Sequence, residues 1–209
     1  MFTGGIPHTI YSVWLFLAAG LSLLVMHLAW TRRESVQCAY PVAVFSFGNA
    51  VWSSMYALHW SKIARPGEFF WVDMTYFGVV IVPTAFFVFA LCYTDRGHWI
   101  TKRRLILLSI EPLLTLFFLW TDPRWGLFFA GKRHSLDAVI FDGGMWFWFH
   151  VIYSYSLVLV GVVALLRGFF RQPRAYRGQV GTILTGAMIP WGANVVSILG
   201  HNPTPNLDL

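Results

Sequence analysis

Residues 69–93 read FFWVDMTYFGVVIVPTAFFVFALCY, with one acidic side chain, Asp73, and no Lys or Arg. As a helix rising 1.5 Å per residue, such a stretch is roughly 35 Å long, enough to cross a hydrocarbon core about 30 Å thick. It has no polar face that water could solvate, so its surroundings must be lipid or other helices. The rest of the chain repeats this pattern. Of its 209 residues 57% are hydrophobic and only 11% charged, against roughly 25% charged in an ordinary soluble domain. Eleven Trp and nineteen Phe exceed what one core of this size can bury. A water-soluble globule is excluded, and the sequence predicts an all-α, polytopic transmembrane bundle.

Apolar windows near 20 residues predict six spans, at about 9–30, 38–60, 69–93, 101–120, 144–166 and 178–200, in one transmembrane domain covering 1–209. The first is too long, and its amino-terminal flank too free of Lys and Arg, for a cleaved signal peptide. The fourth is interrupted by Ser109, Glu111 and Pro112. Lys and Arg counts orient the bundle. Ten lie on one side: Arg32, Arg33, Arg96, Lys102, Arg103, Arg104, Arg167, Arg171, Arg174 and Arg177. Five lie on the other: Lys62, Arg65, Arg124, Lys132 and Arg133. The arginine-rich side is therefore expected in the cytoplasm and the N-terminus outside. The net charge of +6 comes from these short clusters, which suit an anionic leaflet as partner and not nucleic acid. Six spans would leave the C-terminus outside, so a seventh helix is expected beyond the given sequence. Trp60, Trp71, Trp120, Trp125, Trp146 and Trp148 fall at outer span ends, as an aromatic belt would. The connection 121–143 is expected to lie over the outer face as a helix-free hairpin of 127–130 against 138–141, serving as a lid or a tether.

Ionisable groups at membrane depth mark partners, cavities or water. Glu111 falls near mid-bilayer, and Asp73 about one turn from an outer span end, where pairing with Lys62 or Arg65 is an alternative to a site role. Glu111 could instead hydrogen-bond to a neighbouring helix or to a carbonyl released by Pro112. Polar and aromatic residues share helical stripes. They are Asn49, Trp52, Ser53, Tyr56 and Trp60 in the second span; Asp73, Tyr76 and Phe77 in the third; Trp146, His150, Tyr153 and Ser154 in the fifth; and Trp191, Asn194 and Ser197 in the sixth. Nearly all occupy the outer half. The expectation is a cavity open to the outside, its ligand-binding residues drawn from Asn49, Trp52, Tyr56, Asp73, Tyr76, Glu111, His150, Tyr153, Trp191 and Asn194. The plainer alternative is that these groups only glue helices together. Mid-span Pro83, Pro112 and Pro190 add kinks that could wall a cavity or serve as hinges.

No catalytic constellation, metal cluster or phosphate loop is legible, so no enzyme activity, metal or cofactor is expected in this chain. His27 and His150 stand alone. Lys62, Lys102 and Lys132, the chain's lysines, are in connections, so none of the six helices could carry a retinal Schiff base. Cys38 and Cys92 are expected to form neither a disulfide scaffold nor a metal cluster, and to have no redox chemistry.

The order of several short motifs resembles the N-terminal seven-transmembrane sensor region of bacterial and archaeal histidine kinases. Trp52 with Tyr56, Ala57 and Leu58 is similar to that family's second helix. Tyr76, Gly78 and Pro83, with Phe89, Ala90, Leu91, Tyr93 and Thr94, resemble its third. Glu111 through Thr115, followed by Trp120, Thr121 and Asp122, resembles its fourth helix and exit. Gly144, Trp146, Phe147 and Trp148 with Tyr153, Ser154 and Tyr155 match the fifth, and Arg177, Gln179, Gly186, Pro190 and Asn194 the sixth. Leu207, Asp208 and Leu209 look like the family's entry to its seventh helix. The chain departs where Thr121-Asp122 and Arg124-Trp125 replace the usual Thr-Asn and nearby His, which implies a different ligand preference. The resemblance implies a cell-membrane sensor module that binds a small-molecule signal and relays helix displacement to a cytoplasmic output domain outside this chain. That output would be a histidine kinase or diguanylate cyclase, acting as a homodimer. The rival readings are a small transporter or ion-conducting bundle using Glu111 and Asp73, and a membrane anchor without a ligand.

Overall fold

The computed structural model describes residues 8–61, 66, 69–129 and 143–171, with single positions 178, 181, 185 and 192. Those residues form helices and turns, with no strand among them. The order is α1 (His8–Thr31), α2 (Ala39–Trp60), α3 (Phe70–Val79), α4 (Ile81–Tyr93), a 3-10 turn (Gly97–Trp99), α5 (Lys102–Trp120), α6 (Asp122–Trp125) and α7 (Met145–Arg171). The sixth expected span, 178–200, lies outside the described residues apart from positions 178, 181, 185 and 192. Among the described residues, three segments are both long and apolar enough to cross a membrane: Ile10–Thr31, Phe70–Tyr93 and Met145–Phe170. The chain divides into two compact units, Met1–Leu116 and Phe117–Leu209.

In the first unit α2 packs on α1, α3 and α4. Its buried face is made of small residues, Ala39, Ala43, Ser46, Gly48, Ala50 and Ala57, which let neighbouring backbones approach without a hydrophobic driving force. The closest approach is at Gly78 of α3. A Cβ there would lie 2.3 Å from the Gly48 carbonyl oxygen and 2.5 Å from the Trp52 nitrogen, so only hydrogen fits. Conversely α1 turns an apolar stripe outward: Trp14, Leu17, Leu21, Leu24 and Leu28 are 67%, 53%, 64%, 54% and 48% exposed. Side chains spaced three and four apart would form the buried seam of a soluble helix. Here they face out, as lipid contact requires.

The predicted third span is two helices. Pro83 has no N–H to offer the Val79 carbonyl and its ring crowds that carbonyl, so the helix is interrupted there. Val80 keeps its own amide bonded to the Tyr76 oxygen at 3.1 Å, so the chain continues in nearly the same direction. At the arginine-rich end, side chains close the helix termini. Arg33 donates to the Trp30 oxygen at 3.0 Å with its guanidinium 4.7 Å from the Trp30 ring centre. Arg104 does the same with Trp99, at 2.8 Å and 5.1 Å.

Two expectations are corrected here. Cys38 and Cys92 are joined in a disulfide, with their Cα atoms 5.7 Å apart, well within the spacing such a bond needs. Two cysteines 54 positions apart look unrelated along the chain, but α2 leaves and α4 returns to the same end of the bundle, which brings them together. The connection after α5 is not free of helix either. Thr121 is followed by the short helix α6, with Pro123 in its first turn, where proline's missing amide costs nothing. The hairpin proposed for 127–130 and 138–141 falls largely on 130–142, outside the described residues.

Candidate ligand-binding site

Each unit of the structure gathers part of the predicted set. In the first, Asp73 is 7% exposed, so this carboxylate is buried and does not snorkel to an interface; its suggested partners Lys62 and Arg65 lie outside the described residues. Burial of an acidic group one turn into α3 is costly unless neighbouring polar groups compensate. Trp52 and Gly78 meet at the α2–α3 crossing, which sets Trp52 beside the turn of α3 that carries Tyr76. Tyr56 belongs to an aromatic cluster at the far end of α2. It stacks on His59 at 5.9 Å and meets Trp60 edge-on at 6.1 Å, while Tyr11 of α1 packs on Trp60 at 5.9 Å. Asn49 donates to the Phe45 oxygen of its own helix at 3.1 Å, a bond that holds the amide against α2.

Glu111 is 6% exposed. The hydroxyl of Thr115, one turn along α5 and fully buried, donates to its Oε1 at 2.7 Å. The partner shown here is therefore a side chain of the same helix, where sequence reasoning looked to a carbonyl freed by Pro112. Thr115 was missed, although its i+4 spacing from a mid-helix carboxylate was the available signal.

In the second unit His150 and Ser154 are buried on one face of α7, with Ser154 Oγ 3.5 Å from His150 Nε2. Tyr153 is half-buried beside them. Asp122, one of the departures from the family pattern, has a structural task. It is 3% exposed, and its Oδ1 accepts from the backbone amides of Phe128 and Phe129 at 2.7 and 2.9 Å. One carboxylate oxygen thus satisfies two buried amides in the turn after α6, where Gly126 takes a left-handed conformation at φ 59. Phe128 in turn passes the chain on to α7, its oxygen accepting from Gly144 at 2.6 Å, and Leu127 accepts from Trp146 at 3.0 Å. Trp191 and Asn194 lie outside the described residues.

A groove of about 270 Å³ opens at the arginine-rich end, lined by Phe87, Val88 and Leu91 of α4, Trp99, and Arg104 and Leu108 of α5. None of the predicted site residues line it.

These are helices with lipid-compatible exteriors and buried acidic, hydroxyl and imidazole groups. Residues 14–209 match the family of the N-terminal 7TM region of histidine kinase. The chain belongs to that family, and so to the sensor regions of membrane-bound signalling proteins. No curated protein and no solved structure matches the chain.

Proposed function

We propose that this module lies in the cell membrane as a multi-pass bundle with the arginine-rich connections in the cytoplasm. A small ligand from outside or dissolved in the membrane binds in its outer half. Helix displacement then reaches a cytoplasmic output domain of the full protein, a histidine kinase or diguanylate cyclase acting as a dimer. Family membership supports the sensor role. The observation that carries the ligand reading is the burial of two carboxylates, Asp73 at 7% and Glu111 at 6% exposure, in segments with lipid-facing apolar exteriors. Such groups are retained at membrane depth where they serve a partner or a polar cavity. In the first unit Trp52, Tyr56 and Tyr76 would supply aromatic wall and Asn49 a hydrogen bond, and the sequence offers His150, Tyr153, Trp191 and Asn194 as hydrogen-bonding candidates of the second unit.

Signalling needs only that the ligand favour one bundle arrangement; about 1.4 kcal/mol of differential affinity shifts the ratio tenfold. The test joins this chain to a reporter output and measures the dose response of Asp73→Asn, Glu111→Gln and Asn194→Ala. A shifted midpoint in these variants is expected. Unchanged responses in all three remove the site, and solute or ion flux through vesicles carrying the chain would replace the sensor reading by a transporter.

A further inference from the structure

Around the disulfide the helix ends differ in polarity. Cys38 is the N-cap of α2, without a side-chain cap bond, and lies at the helix end whose dipole favours negative charge. Cys92 is the penultimate residue of α4, at a carbonyl end that disfavours it. Both residues are half-buried. The bond also sits in strained backbone. Among the described residues, the non-glycine positions with positive φ are Cys38 itself, at 65, and Asp95, at 57, three residues after Cys92. Arg32 and Arg33 precede Cys38, with Glu34 3.7 Å from Arg33, and Asp95 and Arg96 follow Cys92, so basic groups outnumber acidic ones around the bond by three to two. By the charge count these are the cytoplasmic connections, where stable structural disulfides are rare and those that form are catalytic or redox-sensing.

We propose that Cys38–Cys92 is a thiol–disulfide exchange site for a small acidic thiol and its disulfide, drawn to the arginines on either side. The site rests on the orientation given under Proposed function. The thiolate of the small molecule attacks Sγ of Cys92, the protein S–S bond breaks, and Cys38 leaves as the thiolate that its helix end stabilises. A second thiolate attacks the small-molecule sulfur of the mixed disulfide on Cys92. That step forms the free small disulfide and releases the Cys92 thiolate, which takes a proton from water. Two small thiols are oxidised to one disulfide while the protein pair gains two electrons. The reverse sequence closes the bond. Exchange therefore ties or releases the start of α2 and the end of α4.

The test uses the chain in native membranes equilibrated with glutathione and glutathione disulfide at fixed ratios, then alkylated with a polymer-tagged maleimide and resolved by gel shift. Half-reduction within the ratios a cytosol spans is expected, reached equally from the oxidised and the reduced side. Each tenfold step in thiol squared over disulfide should move the reduced-to-oxidised ratio tenfold. In Cys38→Ser the mixed disulfide should accumulate on Cys92 several-fold more than it does on Cys38 in Cys92→Ser. A wild-type pair that stays oxidised, or stays reduced, across the whole range overturns the proposal. Labelling of the reduced pair in intact cells by a membrane-impermeant maleimide would place it outside. That would overturn the orientation, and the titration would still report separately whether the bond exchanges.

Discussion

Replacing Gly78 by alanine tests the α2–α3 crossing that sets Trp52 beside α3. The added Cβ would meet the Gly48 oxygen at 2.3 Å and the Trp52 nitrogen at 2.5 Å, whereas ordinary contact begins at 3.4 Å. Both obstacles are backbone atoms inside helices, so neither can rotate away, and α3 must retreat by about 1 Å. A gap of that size forfeits roughly a quarter to a half of the dispersion attraction of each pair it opens. Overpacking usually costs about 1–3 kcal/mol, and an unyielding backbone puts Gly78→Ala near the upper end, roughly a hundredfold in the folded-to-unfolded ratio. Two other glycines supply the scale. At Gly48 the Cβ would meet Ile81 Cγ2 at 3.0 Å, Val82 Cγ2 at 3.1 Å and Ile81 Cβ at 3.2 Å, milder overlaps with side-chain atoms, so about 1 kcal/mol is expected. At Gly20 nothing lies within 4 Å, and alanine should stabilise α1 by about 0.5–1 kcal/mol through helix propensity. Reversible unfolding in mixed detergent micelles would rank the three. If Gly78→Ala unfolds no more readily than Gly20→Ala, the close crossing is wrong, and with it the placement of Trp52 against α3.

Asp122→Ala should expose the Phe128 and Phe129 amides to fast hydrogen exchange and destabilise by about 1–3 kcal/mol, while Asp122→Asn, which keeps the accepting oxygen, should retain most of their protection; equal exchange in both variants would show that the carboxylate does not hold this turn. Thr115→Val, nearly isosteric, removes the donor to Glu111 and should cost about 1 kcal/mol in the same micelle assay; no change, alone and in combination with Glu111→Gln, would leave that bond without energetic weight. Pro83→Ala supplies an amide for the Val79 carbonyl, so exchange at residues 79–83 should slow; unaltered exchange would mean that Pro83 does not cause the break.

The helices were legible in the sequence because lipid demands long uninterrupted apolar runs, a requirement strong enough to survive without any knowledge of tertiary contacts. The apolar windows at 9–30, 38–60, 69–93, 101–120 and 144–166 overlie α1, α2, α3 with α4, α5 and α7. What sequence reasoning missed depends on chain topology or on very short distances. The disulfide follows from two antiparallel segments ending at one level, which a spacing of 54 residues conceals. The polar stripe of α2 was visible, but the small-residue stripe that packs it was not sought, since helix packing in membranes rests on what is missing from a side chain. The amide-binding task of Asp122 was hidden because it follows from a turn, closed by Gly126, that composition alone does not reveal. Glu111 was legible as a group at membrane depth for the opposite reason: a carboxylate in the middle of an apolar run has few places to go.

The close crossing and the disulfide together constrain what can move. Gly48 and Gly78 lock α2 to α3 near mid-helix, and Cys38–Cys92 locks α2 to α4 ten residues away along α2, a lever of roughly 15 Å. The helix break at Val79–Val80 falls between these two fixed points. With both in place α4 cannot swing against α2 without breaking one of them, so displacement in this part of the bundle must carry α2, α3 and α4 as one body. Opening the disulfide removes the fixing at the arginine-rich end and leaves the one at the Gly48–Gly78 crossing. The segment freed is then α4, hinged at the break that Pro83 makes and ending in the connection that carries Arg96. Under the exchange proposed above, the bond state at Cys38–Cys92 would set whether α4 moves with α2 and α3 as one body or alone about the break, and the slowing of exchange expected for Pro83→Ala should be largest in the reduced protein, where the joint is otherwise free.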